Sequence, residues 1–467
     1  MRDQRYKGKI AACLAALVLS LSAAGIPGFA SAGSSSAGSS ETPVSFSTGV
    51  LTRSEGGASG TAARTNSAYQ AIRKISSSAN VQQLRRVSLS NSLAEDSEAR
   101  YAYVEQKYGY SALATDTERT LYDYIGNAAY QVSNQPIDGY YPVGQIMMPT
   151  QLDQSELQKV FLAYTNDHPE VFWLSNVFSY GSEGNFSILQ LYSVLSADAC
   201  NSDIDTLQSK VEQVVNSIPA GLSEFDREEA LYNYMVKQCS YDTAAVKDSS
   251  IWQAFTAYGA LTDGKVVCEG YSRAMELLSS YEGLHCALIR GSSGGVGHMW
   301  NAVSVAGNWY YLDLTWSDGN QPVYNYFNIT TQVIGTTHKI APLASTLTSK
   351  QFVAANSQVN LFLPSCTATA ENYYIVKGIR ITDLSSANDS AVVSQLSSDL
   401  ANSDTTIAFY INAGSKYSSV ISGLVSASPY KMKSYLQQAQ QRAGKKVTGA
   451  SYVVDSANHG LDICVTY

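Results

Sequence analysis

Residues 258–318 read YGALTDGKVVCEGYSRAMELLSSYEGLHCALIRGSSGGVGHMWNAVSVAGNWYYLDLTWSD, and this stretch decides the predicted fold. Cys268 precedes a helical pattern, His298 opens a strand pattern, and Asp313 lies on the strand pattern that follows. A thiol, an imidazole and a carboxylate are the groups that nucleophilic thiol catalysis uses. The stretch therefore predicts a thiol enzyme, with the rest of the chain supporting or flanking it.

Cys268 stands at the start of a predicted helix. Apolar residues recur behind it at helical spacing, and Gly283 supplies a stop: the apolar set is Ala274, Leu277, Leu278 and Tyr281. A helix N-terminus offers unpaired N–H groups and the positive end of the dipole, which favour a thiolate and can hold an oxyanion. A lone cysteine is more often a buried apolar residue, so the assignment depends on His298 and Asp313.

The alternation of side chains along a strand tests whether His298 and Asp313 can lie on the same face. A two-residue turn at Ala306-Gly307 places both side chains on one face of a hairpin, diagonal to each other. A three-residue turn would put them on opposite faces, and a turn at Gly307-Asn308 would separate them by a further pair. We predict the Ala306-Gly307 register. Gly291–Gly297 is expected to be a flexible Gly/Ser loop leading into the site, and it lacks the phosphate-loop pattern.

Three blocks within this region, GKVVCEGYSRAMELL, GHMWNAV and GNWYYLDLTWSD, resemble the transglutaminase-like (transglutaminase core) superfamily of bacterial exported proteins. The resemblance covers about residues 200–330, and the blocks occur in the family's order. It implies an α+β fold with a papain-like core, in which Cys268 is the nucleophile, His298 the general base and Asp313 its acid partner. The family also packs aromatic and amide side chains around the site, at positions that correspond to Trp300, Asn301, Trp309 and Trp316.

The predicted reaction is acyl transfer through a thioester on peptide or amide substrates. Water as the acceptor would make the protein a cysteine peptidase or amidase, and an amine would make it a transglutaminase; the residues leave this open. The second oxyanion donor is also open among Trp252, Gln253 and Tyr258. The alternative function is a cell-surface or extracellular binding or adhesion protein that uses the domain as a scaffold.

The N-terminus predicts export. Basic residues precede a short apolar run, Ile10 to Ala24, and Ala30-Ser31-Ala32 supplies a cleavage pattern, so residues 1–32 read as a signal peptide. No other stretch is apolar enough to cross a bilayer. The formal net charge of −8 and the lack of a basic stripe argue against nucleic-acid binding. We expect a secreted protein, either free or associated with the cell surface, whose substrate is an extracellular protein or a cell-wall peptide.

Six cysteines follow the signal peptide: Cys200, Cys239, Cys268, Cys286, Cys366 and Cys464. An exported chain could join them in three disulfides, but we expect most to be buried thiols that pack as small apolar residues. The chain shows no CxxC pair and no Cys/His cluster typical of zinc, so we expect no metal or other cofactor.

The remaining chain predicts flanking domains. Residues 33–100 are a Ser/Gly-rich linker, residues 101–197 a small α/β leader domain, residues 198–350 the catalytic domain and residues 366–467 a C-terminal α/β domain. The predicted helices are one capped by Asp116 or Thr117 with apolar positions from Leu121 to Ala128, 155–166, 204–217, one capped by Ser223 and Asp226, 251–261, 389–401 and 430–442. The predicted strands include 176–180, 187–195, 284–290, 324–330, 373–377, 405–411, 452–455 and 461–467.

Overall fold

A computed structural model describes residues 81–86, 101–137, 139–183, 185–248, 250–317, 322–355 and 358–467. The predicted signal peptide lies outside the described residues, as does most of the predicted linker. Within that linker, Val81–Gln83 forms a strand that pairs with Gln131–Ser133. Across the described part of the chain, no helix has the length and apolar character needed to span a bilayer.

The described residues form two compact units. The first contains residues 81–307 and 337–365, and the second contains residues 308–336 and 366–467. The predicted leader domain lies in the first unit together with most of the predicted catalytic domain. The predicted domain boundaries stay predictions.

The first unit begins with short helices around a small antiparallel sheet. Its helices are Tyr108–Ser111, Asp116–Ala128 and Gln154–Asp167, and its strands are Tyr141–Pro142, Ile146–Met148, Leu174–Glu183 and Phe186–Ser193. Capping boxes start two of the helices, since Thr115 pairs with Glu118 and Asp153 with Glu156. The predicted cap at Asp116 or Thr117 is wrong, because Thr115 accepts from the amide of Glu118 and so starts the helix before them. Phe186–Ser193 is the common partner of the other three strands.

Four helices follow in the first unit: Ala197–Ser217, Glu224–Gln238, Ala257–Thr262 and Cys268–Tyr281. The first starts seven residues before the predicted Ile204, because the Ser196 hydroxyl caps it by accepting from the amide of Ala199. The predicted helix 251–261 is wrong as a single element. A 3₁₀ turn, Trp252–Phe255, precedes Thr256, which is extended and caps the short helix after it.

Three antiparallel strands complete the first unit. The central strand, His285–Ser293, lies between the His298 strand, Val296–Val305, and the His338 strand, His338–Ile340. The predicted flexible loop 291–297 is wrong, because the ladder continues to the pair Val296 and Ser293. Gly294 and Gly295 alone make the turn, and both have positive φ. Short helical segments, Ala344–Thr346 and Ser349–Ala355, follow.

The second unit is a four-stranded sheet with helices. The strand order is Ile379–Ile381, Thr406–Ile411, Gly460–Thr466 and Gly449–Asp455, and the longer helices are Asp389–Ala401 and Lys431–Ala443. Their apolar faces form one core with the sheet. The unit also contains Asn308–Leu312, Thr315–Ser317, Thr331–Ile334, Gly414–Lys416, Tyr417–Ile421 and Ser422–Ser426.

Two strand predictions in the second unit are wrong. Residues 373–377 form a helix, because the side chain of Asn372 caps it through the amide of Tyr374. Residues 324–330 form turns with one isolated bridge, between Tyr311 and Ile329. The predicted α+β class is confirmed: both units combine helices with sheets.

Candidate active site

Cys268 is the first residue of the helix Cys268–Tyr281, as predicted, and its side chain is fully buried. Val267 before it is extended, with φ −94° and ψ 178°, and no side chain caps the helix. The N-terminal amides of the helix are thus available to a charged group at this end. Cys268 packs with Leu288 of the central strand and Met299 of the His298 strand.

The start of the Cys268 helix is fixed by close backbone packing. The amide of Val267 donates to the carbonyl of Ala254 at 2.9 Å, which ties the helix to the preceding 3₁₀ turn. A Cβ atom at Gly270 would lie 2.7 Å from that same carbonyl oxygen. Glycine at position 270 therefore lets the first turn of the helix approach the Ala254 backbone.

His298 is fully buried on its strand and belongs to a cluster of three aromatic rings. The imidazole stacks on Trp300, with ring centroids 5.8 Å apart, and lies 5.2 Å from the ring of His338. Trp300 meets His338 edge-on at 5.1 Å. His338 was not predicted from the sequence, and its Nδ1 atom lies 2.8 Å from the hydroxyl of Thr337.

The two imidazoles could also share a ligand. The ring nitrogens of His298 and His338 lie within 4.8 Å of each other. Neutral imidazole is a common ligand of transition metals, but catalytic zinc sites use three protein ligands. The pair could therefore contribute two of the ligands that such an ion requires.

Asp313 lies in the second unit, directly after the strand Asn308–Leu312, and is fully buried. Its Oδ1 atom accepts from the amides of Thr315 at 2.9 Å and Trp316 at 3.4 Å, and its own amide donates to the carbonyl of Tyr326 at 3.0 Å. These amide contacts orient the carboxylate.

The chain between Val305 and Asn308 turns at the predicted residues. Ala306 and Gly307 have φ of 50° and 75°, the signs that a type I′ turn requires at both central positions. The turn prediction is confirmed. The placement of His298 and Asp313 on one face stays a prediction.

Asn301 joins the His298 strand to the Cys268 helix. Its buried Nδ2 atom donates to the carbonyl of Ser272 at 3.0 Å and to the sulfur of Cys286 at 3.3 Å. The sequence placed Asn301 and Trp300 around the site by resemblance, and the first unit contains both next to its central strand. Of the other two predicted positions, Trp316 contacts the ring of Tyr326 in the second unit.

A buried arginine lies on the helix-facing side of the central strand. Arg290 is opposite Met299 in the ladder, and its guanidinium donates to Asn166 at 2.8 Å. Burial lowers the pKa of Arg290 to about 10, against the attraction of Glu269 and the Cys268 sulfur. Sequence reasoning missed Arg290, because a single arginine in a strand pattern has no motif to mark it.

The three candidate oxyanion donors lie in the first unit, around the 3₁₀ turn before Cys268. The rings of Trp252 and Tyr258 stack at 6.1 Å, and Tyr258 stacks on Phe172 at 4.5 Å. The carbonyl of Gln253 accepts from the amide of Thr256. Trp252 and Tyr258 therefore belong to an aromatic stack with Phe172, and the choice of donor stays open.

All six cysteines after residue 32 are buried thiols, as the sequence predicted for most of them. Burial raises the pKa of Cys200 and of Cys366 to about 12, and raises the pKa of Cys286 well above its ordinary value. These three thiols should react slowly with electrophiles, since the thiolate is the nucleophile.

Comparison with known proteins identifies the domain. Residues 212–314 match the family model of the transglutaminase-like superfamily. Kyphoscoliosis peptidase of Mus musculus is 28% identical over 143 residues, which are 28% of this chain and 21% of that protein. The Homo sapiens protein of the same name is 28% identical over 146 residues, 29% of this chain and 21% of that protein. The chain thus spans about a fifth of the length of these curated relatives.

A solved structure described as a TGase is 16% identical, with a TM-score of 0.24, and the match covers 38% of this chain and 53% of that chain. The predicted resemblance over about residues 200–330 is confirmed by the family match, which includes Cys268, His298 and Asp313. Residues 212–314 are therefore similar to a transglutaminase-like domain.

Proposed function

We propose that the protein is an exported thiol enzyme that transfers acyl groups from peptide or amide substrates through a thioester on Cys268. The observation that carries the proposal is the position of Cys268 at the first residue of a helix within the family-matched domain. Amide N–H groups at the start of a helix stabilise negative charge that develops near them. Export rests on the signal pattern of residues 1–32, and points to extracellular proteins or cell-wall peptides as substrates.

In the proposed reaction, the Cys268 sulfur attacks the carbonyl carbon of the substrate amide. His298 accepts the thiol proton and donates it to the departing nitrogen, so an amine or ammonia leaves and a thioester remains. Water or an amine then attacks the thioester, loses its proton to His298, and displaces the Cys268 sulfur, which regains that proton. Asp313 orients the imidazole and stabilises its charged form.

The helix N-terminus supplies one part of the oxyanion site. The amide of Cys268 and its neighbours have no intrahelical acceptor, so they can donate to the oxygen of the tetrahedral intermediate. The backbone contacts of Asp313 keep its carboxylate oriented before any substrate binds. Both features support acyl transfer over a scaffold role for the domain.

A peptide library incubated with the full-length mature protein, with and without a primary amine, tests the proposal. Hydrolysis would give new peptide termini, whereas transamidation would replace ammonia by the added amine in the product mass. Because the two relatives are named as peptidases, hydrolysis is the first outcome to examine. Cys268→Ala should abolish either product, and Cys200→Ala, a buried-thiol control, should retain it.

Two outcomes would contradict the proposal. Products that persist in both Cys268→Ala and His298→Ala would exclude the thiol reaction. Partner binding that survives both substitutions, in a protein with no detectable product, would support the binding or adhesion function instead. Iodoacetamide gives an independent check, because it should modify Cys268 faster than Cys200.

A further inference from the structure

The backbones of His338 and His298 are separated by a whole strand of the sheet. The two residues occupy strands on opposite sides of the central strand, and neighbouring strands in a sheet are about 4.8 Å apart. The ladder pairs His298 with Gly291, and it pairs His338 with Ser293, two residues further along. The two imidazoles nevertheless come to 5.2 Å between ring centroids. Both side chains therefore lean across the central strand.

Gly291 provides space for the ring of Trp300 and for the backbone of the His338 strand. A Cβ atom there would lie 2.6 Å from the Cη2 atom of Trp300 and would clash with the carbonyl oxygen of Lys339. Real Cβ contacts are longer, so any other residue would push Trp300 or the His338 strand outwards. Glycine at this position lets the rings from the two outer strands meet above the central strand.

The ring of His338 is itself held from two directions. The Thr337 hydroxyl lies 2.8 Å from Nδ1, and Trp300 presents its edge at 5.1 Å with an interplanar angle of 63°. Trp300 also stacks on His298 at 27°. His298 therefore contacts two rings, one from its own strand and one from the far edge of the sheet.

We propose that His338 is a positioning residue that holds the His298 imidazole in the orientation from which it exchanges a proton with Cys268. The inference rests on the proposed function, since it assigns His338 a role in the same site. His338 acts through His298 and takes no part in bond making. Loss of the His338 ring contact leaves the His298 imidazole able to rotate. Small displacements of a catalytic group cost about 10- to 100-fold in rate.

The test uses the rate at which iodoacetamide alkylates Cys268 in the full chain, followed by mass spectrometry at pH 6 and pH 9.5. An ordinary thiol has a pKa of about 8.5, so a reaction at pH 6 depends on proton transfer to an imidazole, whereas a reaction at pH 9.5 depends on it much less. Arg290 and Glu269, the charged residues of the first unit that interact electrostatically in the region of Cys268, are the same in every variant. A purely structural effect on access would change both rates equally, so the ratio of the two rates reports positioning.

We expect His338→Ala to lower the rate at pH 6 about 10-fold or more and to leave the rate at pH 9.5 within about twofold. His338→Phe keeps the ring contact and should restore most of the rate at pH 6. His285→Ala removes an exposed histidine of the central strand and should match the wild type. If His338→Ala does not fold, Thr337→Val removes the hydroxyl that holds the ring and should lower the pH 6 rate severalfold.

The outcomes separate the two ideas. A wild-type protein whose Cys268 reacts no faster than Cys200 overturns the proposed function, and the positioning role with it. A reactive wild-type Cys268 with an unchanged rate ratio in His338→Ala overturns the positioning role alone. Equal losses in His338→Ala and His338→Phe would also overturn it, because the ring contact would then have no effect.

Discussion

Asp462 offers the sharpest stability prediction, because its carboxyl group is completely buried in the strand Gly460–Thr466. Its Oδ2 atom accepts from the amide of Tyr324 at 3.2 Å and from the hydroxyl of Tyr374 at 2.9 Å. Oδ1 has no hydrogen-bond partner among the described residues. Burial raises the pKa of Asp462 to about 7, although the bonds from Tyr324 and Tyr374 act in the opposite direction.

The size of the effect follows from that shift. An aspartate in an unfolded chain has a pKa of about 3.9, so the pKa of Asp462 is about three pH units higher in the folded state. Each unit corresponds to about 1.36 kcal/mol. Because the folded pKa is raised, the contribution is fully favourable below the unfolded pKa. It declines as the pH rises from about 4 to 7, which amounts to about 4 kcal/mol as an upper limit.

Asp462→Asn should remove this penalty while keeping the structure. The amide oxygen can accept from both Tyr324 and Tyr374, and the NH₂ group replaces the oxygen that has no partner among the described residues. We expect the variant to gain about 2–4 kcal/mol of unfolding free energy at pH 8 and almost nothing at pH 4. The measurement is urea unfolding of the full chain at both pH values.

A control separates this effect from a general change of charge. Hydrogen bonds from Ser385 lower the pKa of Asp383, so Asp383→Asn should not stabilise the protein at pH 8. The reasoning about Asp462 is refuted if wild-type stability does not fall between pH 4 and pH 8, or if Asp462→Asn is less stable than the wild type at pH 8.

Three further predictions concern the first unit. Asn301→Ala should cost about 1–3 kcal/mol in urea unfolding, because the carbonyl of Ser272 loses a buried donor; a cost below about 0.5 kcal/mol would contradict this. Gly291→Ala should cost about 1–3 kcal/mol through the clashes at its Cβ position, and an unchanged midpoint would refute it. Burial opposes ionisation of Glu118, but Lys159 and two backbone amides lower its pKa. Glu118→Gln should therefore lower the melting temperature at pH 7, with the difference shrinking as the pH falls below about 4.3, and a constant difference would exclude this cause.

The helices that the sequence predicted well carry their start signals locally. Ser223 caps Glu224–Gln238 by accepting from the amide of Asp226, as its spacing indicates. The helix Asp389–Ala401 has the predicted bounds. The Ser223 cap and the apolar spacing of Asp389–Ala401 both involve residues three or four positions apart, so they can be read without knowledge of the tertiary structure.

The failures arise where a local signal conflicts with composition. Residues 373–377 read YYIVK, which favours a strand by β-propensity, yet Asn372 caps a helix there. In the predicted helix 251–261, Thr256 interrupts the pattern, since a threonine cap starts a new helix as readily as it continues the old one. Propensity alone does not decide between these outcomes, because tertiary packing outweighs it.

Within the candidate site, predictability depends on distance along the chain. Cys268, His298 and Asp313 fall within one stretch whose motif blocks mark them. His338 lies 40 residues after His298 in a polar segment, and it reaches His298 only because its strand pairs with Ser293. No sequence pattern predicts a contact between an edge strand and a motif that far away. The contact between His338 and His298 is therefore seen only once the strands are paired.

Gly291 shows how the same residue supports two opposite interpretations. As part of a Gly/Ser run it predicted a flexible approach to the site, but the ladder pairs it with both His298 and Ile340. Its lack of a side chain serves close packing between the three strands, and the flexibility of the run is confined to the turn at Gly294 and Gly295. His298 is thus held by regular strand hydrogen bonds rather than by a mobile loop. In the proposed reaction, a histidine held on a regular strand would keep the orientation that proton transfer requires before any substrate binds.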